Sequence, residues 1–195
     1  MNVLTKLPVR MSVDEFLAWE PGDGQEWQLV DGEPRVMAPA KRTHSMLQSE
    51  LARLIGNHLL EQGSPCTVGV EPGVIPHLQA HLNVRIPDLA VTCSTYGEEE
   101  EAALADPVLI VEILSPSNYN ESWANVWTYF TIPTVQEILI LQSTEIGADI
   151  LRRLPDGTWP AKPEEVTTGD LVLDSIGFRV PLASVYRTTR LRPGA

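Results

Sequence analysis

The apolar positions of the chain are concentrated in a few runs that predict its main elements. The longest β-like run, VLIVEIL at residues 108–114, is rich in Val and Ile and predicts a buried central strand. Residues 137–141, EILIL, predict the next strong strand. From Thr43 onward, leucine and isoleucine recur every three or four residues, which predicts a long helix with Gly63 as its C-cap. We expect this helix to pack on the sheet.

Local signals predict the smaller elements. Ser12 and Glu15 form a capping-box pattern that predicts a short helix. Residues 25–38 predict a hairpin, with Asp31 and Gly32 as its turn. Further short strands are expected at residues 67–75, 80–85, 88–93, 171–173 and 178–182, a second helix at 120–130, and a peripheral hairpin from 149–153 and 157–159.

These elements predict one α/β domain with a mixed, largely antiparallel twisted sheet flanked by helices. A chain of 195 residues is long enough for one domain with a substantial core. We expect an extended lead-in at residues 1–10, the domain at 11–186 and a flexible tail at 187–195.

Composition narrows the environment of the protein. No apolar run approaches the roughly 18 residues of a membrane span, so no membrane partner is expected. The first residues lack the apolar block of a signal peptide, which predicts a cytoplasmic protein. Cys66 and Cys93 form no Cys-x-x-Cys pair, so we expect reduced structural thiols and no zinc site.

The charge balance bears on partners. The formal net charge of −12, from 26 acidic and 14 basic residues, opposes non-specific adhesion to nucleic acid. Four consecutive glutamates at 98–101 predict a solvated loop or the start of a helix. A nucleic-acid role therefore needs a local basic patch, for which the candidates are Arg35, Lys41, Arg42 and Arg85.

Two common classes of enzyme lack their motifs here. Ser115 and Ser117 lie in no Gly-x-Ser-x-Gly elbow, so a hydrolase triad is not indicated. Neither a GxGxxG nor a Walker sequence is present, so no nucleotide cofactor is expected.

Two acids stand out against their apolar surroundings. Glu112 is the only charged residue of the run at 108–114, and Asp88 directly precedes the apolar run at 89–91. Two carboxylates on neighbouring strands can hold a hard divalent cation through oxygen ligands. The alternative is that Pro87-Asp88 simply begins a strand while Glu112 accepts local hydrogen bonds.

The order of these motifs adds a family resemblance. PDLAV at 87–91, VEILSPS at 111–117 and a helix bearing Tyr129 follow one another, and in this the chain resembles the Uma2 family. That family lies within the PD-(D/E)xK superfamily of restriction-endonuclease-like nucleases, and the resemblance covers roughly residues 11–186. It implies a phosphodiesterase that depends on Mg²⁺ or Mn²⁺, with Asp88 and Glu112 as metal ligands. Nucleic acid is then a candidate partner and a homodimer is expected, which exposed aromatics and the apolar run at 138–141 also suggest.

The chain departs from the family pattern at two positions. The superfamily Lys would stand at Leu114, and the family instead supplies a Lys from the following helix, where this chain has Asn125. A Glu of the first hairpin strand is replaced by Gln28. Because both residues are neutral, they can orient water or phosphate but cannot supply charge to a transition state.

Other residues have supporting roles with ordinary alternatives. His44 either donates to phosphate or metal-bound water, or bonds local backbone at the start of its helix. Tyr129, four residues after Asn125, is either a supporting residue of the site or a core aromatic with a satisfied hydroxyl. Trp123 and Trp127 share a helix face that suits the core, a dimer surface or stacking on bases.

Two functions from different classes follow. The first is a magnesium-dependent, endonuclease-like phosphodiesterase with a degenerate site, whose candidate residues are Gln28, His44, Asp88, Glu112, Asn125 and Tyr129. The second is a catalytically inactive nuclease-fold module that binds nucleic acid or a protein partner. The missing Lys favours the module, whereas the retained acids favour the enzyme.

Overall fold

The fold is built on a six-stranded sheet. The computed structural model describes residues 10–95, 102–116 and 119–192. The strands lie in chain order, and only the pairing of the third with the fourth is parallel. The sheet is therefore mixed and largely antiparallel, as predicted. Its strands are β3 (Thr67–Val70), β4 (Leu89–Thr92), β5 (Pro107–Leu114), β6 (Glu137–Gln142), β7 (Ala148–Arg152) and β8 (Glu164–Val166).

Alternation along β5 divides the core into two layers. Side chains of a strand point alternately to opposite faces of the sheet. Leu109, Val111 and Ile113 pack on the side of helix α2 (Arg42–Glu61), which confirms the predicted long helix. The intervening positions face helix α3 (Tyr119–Tyr129). The same alternation places Glu112 on the side of α3.

The two predicted N-terminal elements are also confirmed. Ser12 and Glu15 make the reciprocal capping-box bonds that begin helix α1 (Val13–Leu17). Strands β1 (Trp27–Val30) and β2 (Glu33–Val36) form the hairpin, and Asp31 and Gly32 both have positive φ at the turn. This hairpin closes over the end of the sheet where α2 begins, because Leu29 exchanges backbone hydrogen bonds with Val84.

Two predicted strands are wrong. Residues 80–85 form no regular strand, because Val84 and Arg85 pair in isolated bridges with Leu29 and Val74. Residues 157–159 do not pair with β7. Strand β7 instead pairs with β6 and β8 inside the sheet, where its apolar side chains are buried.

Two further differences concern strand length and exposure. Strand β3 is shorter than predicted because Glu71 has a φ of 51° and Pro72 follows it. The apolar run at 138–141 is fully buried in β6, so it offers no dimer surface. The glutamates at 98–101 and Ser117 lie outside the described residues.

The C-terminal part closes the α2 side of the core. Strands β9 (Asp170–Leu173) and β10 (Phe178–Pro181) pair antiparallel, and α4 (Leu182–Val185) follows. Arg187 Nε lies 2.6 Å from Glu50 Oε1, and Thr189 is buried, so the chain packs beyond the predicted domain end. No helix in the described ranges is both long and apolar enough to cross a membrane.

Cys66 and Cys93 form a disulfide, so the prediction of reduced thiols is wrong. Thr67 and Thr92 pair in the antiparallel ladder of β3 and β4. Cys66 precedes Thr67 and Cys93 follows Thr92, so this register places the two cysteines opposite each other. Sequence spacing did not indicate this pairing, because it depends on the register of the two strands.

Reduction of this disulfide should lower stability. Closing a loop of 27 residues is expected to contribute about 3–4 kcal/mol by restricting the unfolded chain. The double variant Cys66→Ser/Cys93→Ser should therefore melt roughly 6–12 °C below the oxidised wild type in a thermal scan. A reductant should lower the melting temperature of the wild type to that of the variant and leave the variant unchanged. Equal melting temperatures for the oxidised protein and the variant would contradict a stabilising role.

Candidate functional site

A cleft with a volume of about 90 Å³ lies between the β1–β2 hairpin, the start of α2, the ends of β4 and β5, and α3. Acidic side chains dominate its lining. Five carboxyl groups reach it from five different parts of the chain, namely Glu26, Glu71, Asp88, Glu112 and Glu121. Lys41 and His44 are the basic side chains of the lining.

Asp88 stands directly before β4 and is held at both carboxylate oxygens. His44 Nε2 lies 2.5 Å from Oδ1, and the backbone N–H of Ile113 donates to Oδ2 over 2.6 Å. Gln48 from α2 donates to the Asp88 carbonyl over 3.2 Å. The sequence left two interpretations of His44 open, and in the structure its ring contacts this carboxylate.

Glu112 is buried in β5, beside Asp88. Burial raises the pKa of Glu112 well above its ordinary value of 4.5, and the neighbouring Asp88 carboxylate raises it further. Hydrogen bonds from the Tyr129 and Asn125 side chains oppose this shift in part. Tyr129 donates its hydroxyl to Glu112 Oε1 over 2.8 Å. Two close carboxyl groups out of water thus repel each other unless a proton or a cation lies between them.

Tyr129 is a fully buried aromatic whose hydroxyl is engaged by the site. Burial raises the pKa of Tyr129 well above 10, and the Glu112 carboxylate raises it further. The hydroxyl therefore remains a hydrogen-bond donor at neutral pH. Tyr129 is thus a core aromatic with a satisfied hydroxyl, and that hydroxyl contacts a candidate site residue.

The two positions that depart from the family pattern are neighbours. Asn125 Nδ2 donates to Gln28 Oε1 over 3.5 Å, although 97 residues separate them in sequence. Gln28 Nε2 donates to Glu121 Oε1 over 2.6 Å. Gln28 is 1% exposed, whereas Glu121 is on the solvent side of the first turn of α3. A pair of amides thus links the hairpin to the helix.

A further acidic pair lies across the cleft. Burial raises the pKa of Glu26, and the nearby Glu71 side chain raises it further through its charge and a hydrogen bond. Glu71 Oε1 also accepts from Gln48 over 2.9 Å. The left-handed backbone at Glu71 directs this side chain into the cleft instead of along the strand.

Of the four candidates for a basic patch, Arg85 is buried, whereas Arg35, Lys41 and Arg42 are exposed. Arg85 is 4% exposed, and its Nη1 donates to the Leu29 carbonyl over 2.6 Å. Burial lowers the pKa of Arg85. It therefore supports the hairpin and does not present a charge to solvent. Arg35 is exposed but pairs with Glu33 at 3.4 Å, and Lys41 lies at the cleft.

The aromatic face of α3 lies next to the cleft. Trp127 is 58% exposed, and its ring lies 6.4 Å from Trp123 and 5.1 Å from Phe130. Trp127 is therefore a surface residue, while Trp123 packs against the core around Val126. Of the three roles that the sequence allows for these tryptophans, a core role fits Trp123 and not Trp127.

The structure brings all six sequence-predicted site residues into one neighbourhood. Five of them line the cleft, namely Gln28, His44, Asp88, Glu112 and Asn125, and Tyr129 lies behind Glu112. Sequence reasoning missed Glu71 and Glu121 as lining residues of this cleft, and Gln48 as a residue that hydrogen-bonds Glu71 and the Asp88 carbonyl. Glu121 had a usable signal, since it precedes Asn125 by four residues and so shares its helix face.

The cleft offers a divalent cation a small set of oxygen ligands, the carboxyl groups of Asp88 and Glu112. In the described part of the chain, no three His, Cys, Asp or Glu side chains are arranged to hold a metal ion. Asp88 and Glu112 are nevertheless two carboxyl groups whose mutual repulsion a cation would relieve. Magnesium is commonly bound by one or two carboxylates together with waters. The donor set therefore fits such an ion.

The chain belongs to the Uma2 family. The model of that family, described as "Putative restriction endonuclease", matches residues 13–183. The match includes the hairpin, α2, β4, β5 and α3, and therefore the whole cleft. The resemblance of the sequence motifs is thus confirmed at the level of the family.

Two individual proteins are similar to this chain over most of its length. An uncharacterized protein from Synechocystis sp. is 28% identical over 180 residues, which is 91% of this chain and 92% of that protein. The crystal structure of a "putative nuclease belonging to DUF820" from Anabaena variabilis superposes with a TM-score of 0.71 at 18% identity. That comparison covers 90% of this chain and 97% of the other, and it shows a shared fold.

Replacing the buried acid should stabilise the metal-free protein. The folded protein holds the Glu112 proton over a pH range in which the unfolded chain has lost it, so stability falls as the pH rises above about 4.5. The loss is complete above the raised pKa of the folded state. Glu112→Gln removes the titration and retains an oxygen that accepts from Tyr129. In EDTA at pH 7–8 its melting temperature should exceed that of the wild type by at least roughly 2–4 °C.

The difference in melting temperature between Glu112→Gln and the wild type should shrink as the pH is lowered towards 4.5. The matched control is Glu61→Gln, because Glu61 is exposed at the end of α2 and lies outside the cleft. This control should melt within about 1 °C of the wild type at every pH, since surface substitutions have small effects. A destabilised Glu112→Gln variant at pH 7–8 would contradict the assigned electrostatics.

Proposed function

We propose that this protein is a magnesium-dependent, endonuclease-like phosphodiesterase that acts on nucleic acid through a degenerate site. One observation carries the proposal: Asp88 and Glu112 come from adjacent strands and meet in a cleft, where burial and mutual repulsion raise the pKa of Glu112. Membership of a family described as "Putative restriction endonuclease" supports the same chemistry. The fold shared with a protein titled a "putative nuclease" is consistent with it.

Asp88 and Glu112 would hold Mg²⁺ or Mn²⁺ through carboxylate oxygens. A bound divalent ion polarises a phosphoryl oxygen and lowers the pKa of an attacking water. The Ile113 N–H and the His44 ring orient Asp88, and the Tyr129 hydroxyl orients Glu112. These contacts set the positions of both carboxylates before a ligand arrives, so little reorganisation is needed on binding.

The degenerate part of the site is the pair formed by Gln28 and Asn125. Their side-chain amides can orient a water or a phosphate oxygen by hydrogen bonding. Neither supplies positive charge to the transition state, and removal of a stabilising group of this kind commonly lowers the rate by roughly 10²–10³-fold. Catalysis is therefore weak, while cation binding by the two acids is retained.

The second candidate is an inactive nuclease-fold module that binds nucleic acid or a protein partner. The neutral Gln28–Asn125 contact favours it, because the position of the catalytic Lys is filled by an amide that is already engaged. The net charge of −12 and the burial of Arg85 favour a protein partner over bulk nucleic acid. A homodimer and a cytoplasmic location complete either proposal.

Cation binding should depend on Asp88. Calorimetric titration of Mn²⁺ and of Mg²⁺ into the purified protein should show saturable binding, and Asp88→Ala should weaken it by at least roughly tenfold, since it removes a ligand. Asp14→Ala is the control, because Asp14 is an exposed acid in the first turn of α1. If the wild type binds neither metal, there is no metal site and the inactive module is the better proposal.

Restoring a positive charge should increase cleavage. With Mn²⁺ or Mg²⁺ present, Asn125→Lys should nick supercoiled plasmid at least roughly tenfold faster than the wild type, because an ammonium group stabilises developing negative charge. Asn125→Gln is the matched control, since it lengthens the side chain without adding charge. EDTA should abolish the activity of both. Equal rates for Asn125→Lys and Asn125→Gln would show that charge at this position is not the limiting factor.

A further inference from the structure

A directed series of hydrogen bonds, the amide relay, runs from Glu121 through Gln28 and Asn125 to Glu112. Gln28 Nε2 donates to Glu121 over 2.6 Å, and Gln28 Oε1 accepts from Asn125 Nδ2 over 3.5 Å. Asn125 lines the same cleft as Glu112, and its side chain lowers the pKa of Glu112. The relay thus connects a carboxylate at the surface to the acid at the centre of the site.

The direction of the amide relay is set at its exposed end. An ionised carboxylate accepts hydrogen bonds and donates none, so the amide nitrogen of Gln28 must face Glu121. The oxygen of Gln28 then faces Asn125, which must present its own amide nitrogen. Because Gln28 and Asn125 are both buried, a reversed amide would bring two oxygens together with little access to compensating water.

We propose that Glu121 is a positioning residue of this cleft: its charge fixes the direction of the amide relay and so keeps the Asn125 amide nitrogen directed at Glu112. Its consequence for metal binding rests on the proposed function, whereas the relay itself does not. A donor held on Glu112 fixes the orientation of that carboxyl group, which the proposed function assigns to a cation. Glu121 acts on Glu112 through two other residues.

Exchanging the amide and the carboxylate between positions 28 and 121 tests the amide relay without metal. Gln28→Glu alone places two carboxylates at 2.6 Å and should lower the melting temperature by roughly 5 °C or more. In the Glu121→Gln background the same change should cost less than about 2 °C, because the introduced carboxylate accepts a hydrogen bond from the new amide at position 121. The non-additivity of this double-mutant cycle measures the coupling of the two residues.

A reversal of charge tests the effect on the site. Glu121→Lys supplies a donor, so Gln28 should present its oxygen to Lys and its nitrogen to Asn125. The side-chain amide signals of Gln28 and Asn125 in ¹⁵N-labelled protein should then shift, whereas in the exchanged double variant the Asn125 signals should stay close to those of the wild type. Calorimetry with Mn²⁺ should show roughly tenfold weaker binding by Glu121→Lys than by Glu26→Lys.

Glu26→Lys is the control for charge, because it changes the net charge of the cleft by the same amount as Glu121→Lys. The native Glu26 side chain interacts with Glu71 and lies outside the amide relay. Equal costs of Gln28→Glu in the two backgrounds, or unchanged amide signals in Glu121→Lys, would overturn the relay. Equal Mn²⁺ affinities of the two lysine variants would overturn the positioning role. If the wild type binds no Mn²⁺, the proposed function fails, and the melting cycle and amide signals still decide the relay.

Discussion

The fold places an ionisable group where little water reaches it. Alternation along β5 directs Glu112 into the layer beneath α3, between apolar neighbours at positions 110 and 114. Burying a carboxyl group costs free energy unless donors, a proton or a cation compensate it. The Tyr129 hydroxyl and the Asn125 amide compensate it in part, while the adjacent Asp88 adds repulsion. The arrangement of α3 over the sheet therefore determines the chemistry of the cleft.

Local rules predicted most of the fold. The capping box at Ser12, the turn at Asp31 and the apolar runs at 108–114 and 137–141 each depend on residues close in sequence, and each is confirmed. The errors arose where the outcome depends on distant partners. The disulfide was missed because it requires the register of β3 against β4, and residues 80–85 pair only through isolated bridges to other segments.

The sequence predicted those residues of the candidate cleft that lie in recognisable motifs. Asp88 and Glu112 were identified as candidates because one is a charge directly before an apolar run and the other a charge within one. Glu71 was not, because its direction depends on a left-handed backbone that no glycine signals. Arg85 shows the opposite error, since residue type suggested an exposed charge, whereas its guanidinium is used to hold the hairpin at Leu29. Sequence identifies the chemistry of a side chain, and packing decides where it points.

The contact between Gln28 and Asn125 changes the meaning of the two departures from the family pattern. A Glu and a Lys at these positions would contribute opposite charges, and two amides contribute none, so the net charge of the cleft is the same in both cases. The amides also retain a hydrogen bond between the hairpin and α3. Loss of the Lys alone would leave the carboxylate at position 28 beside Glu112 without a positive partner, which is expensive out of water. The two departures therefore form one charge-balanced change that leaves the packing around Asp88 and Glu112 intact, and under the proposed function it also removes a charge that would speed catalysis.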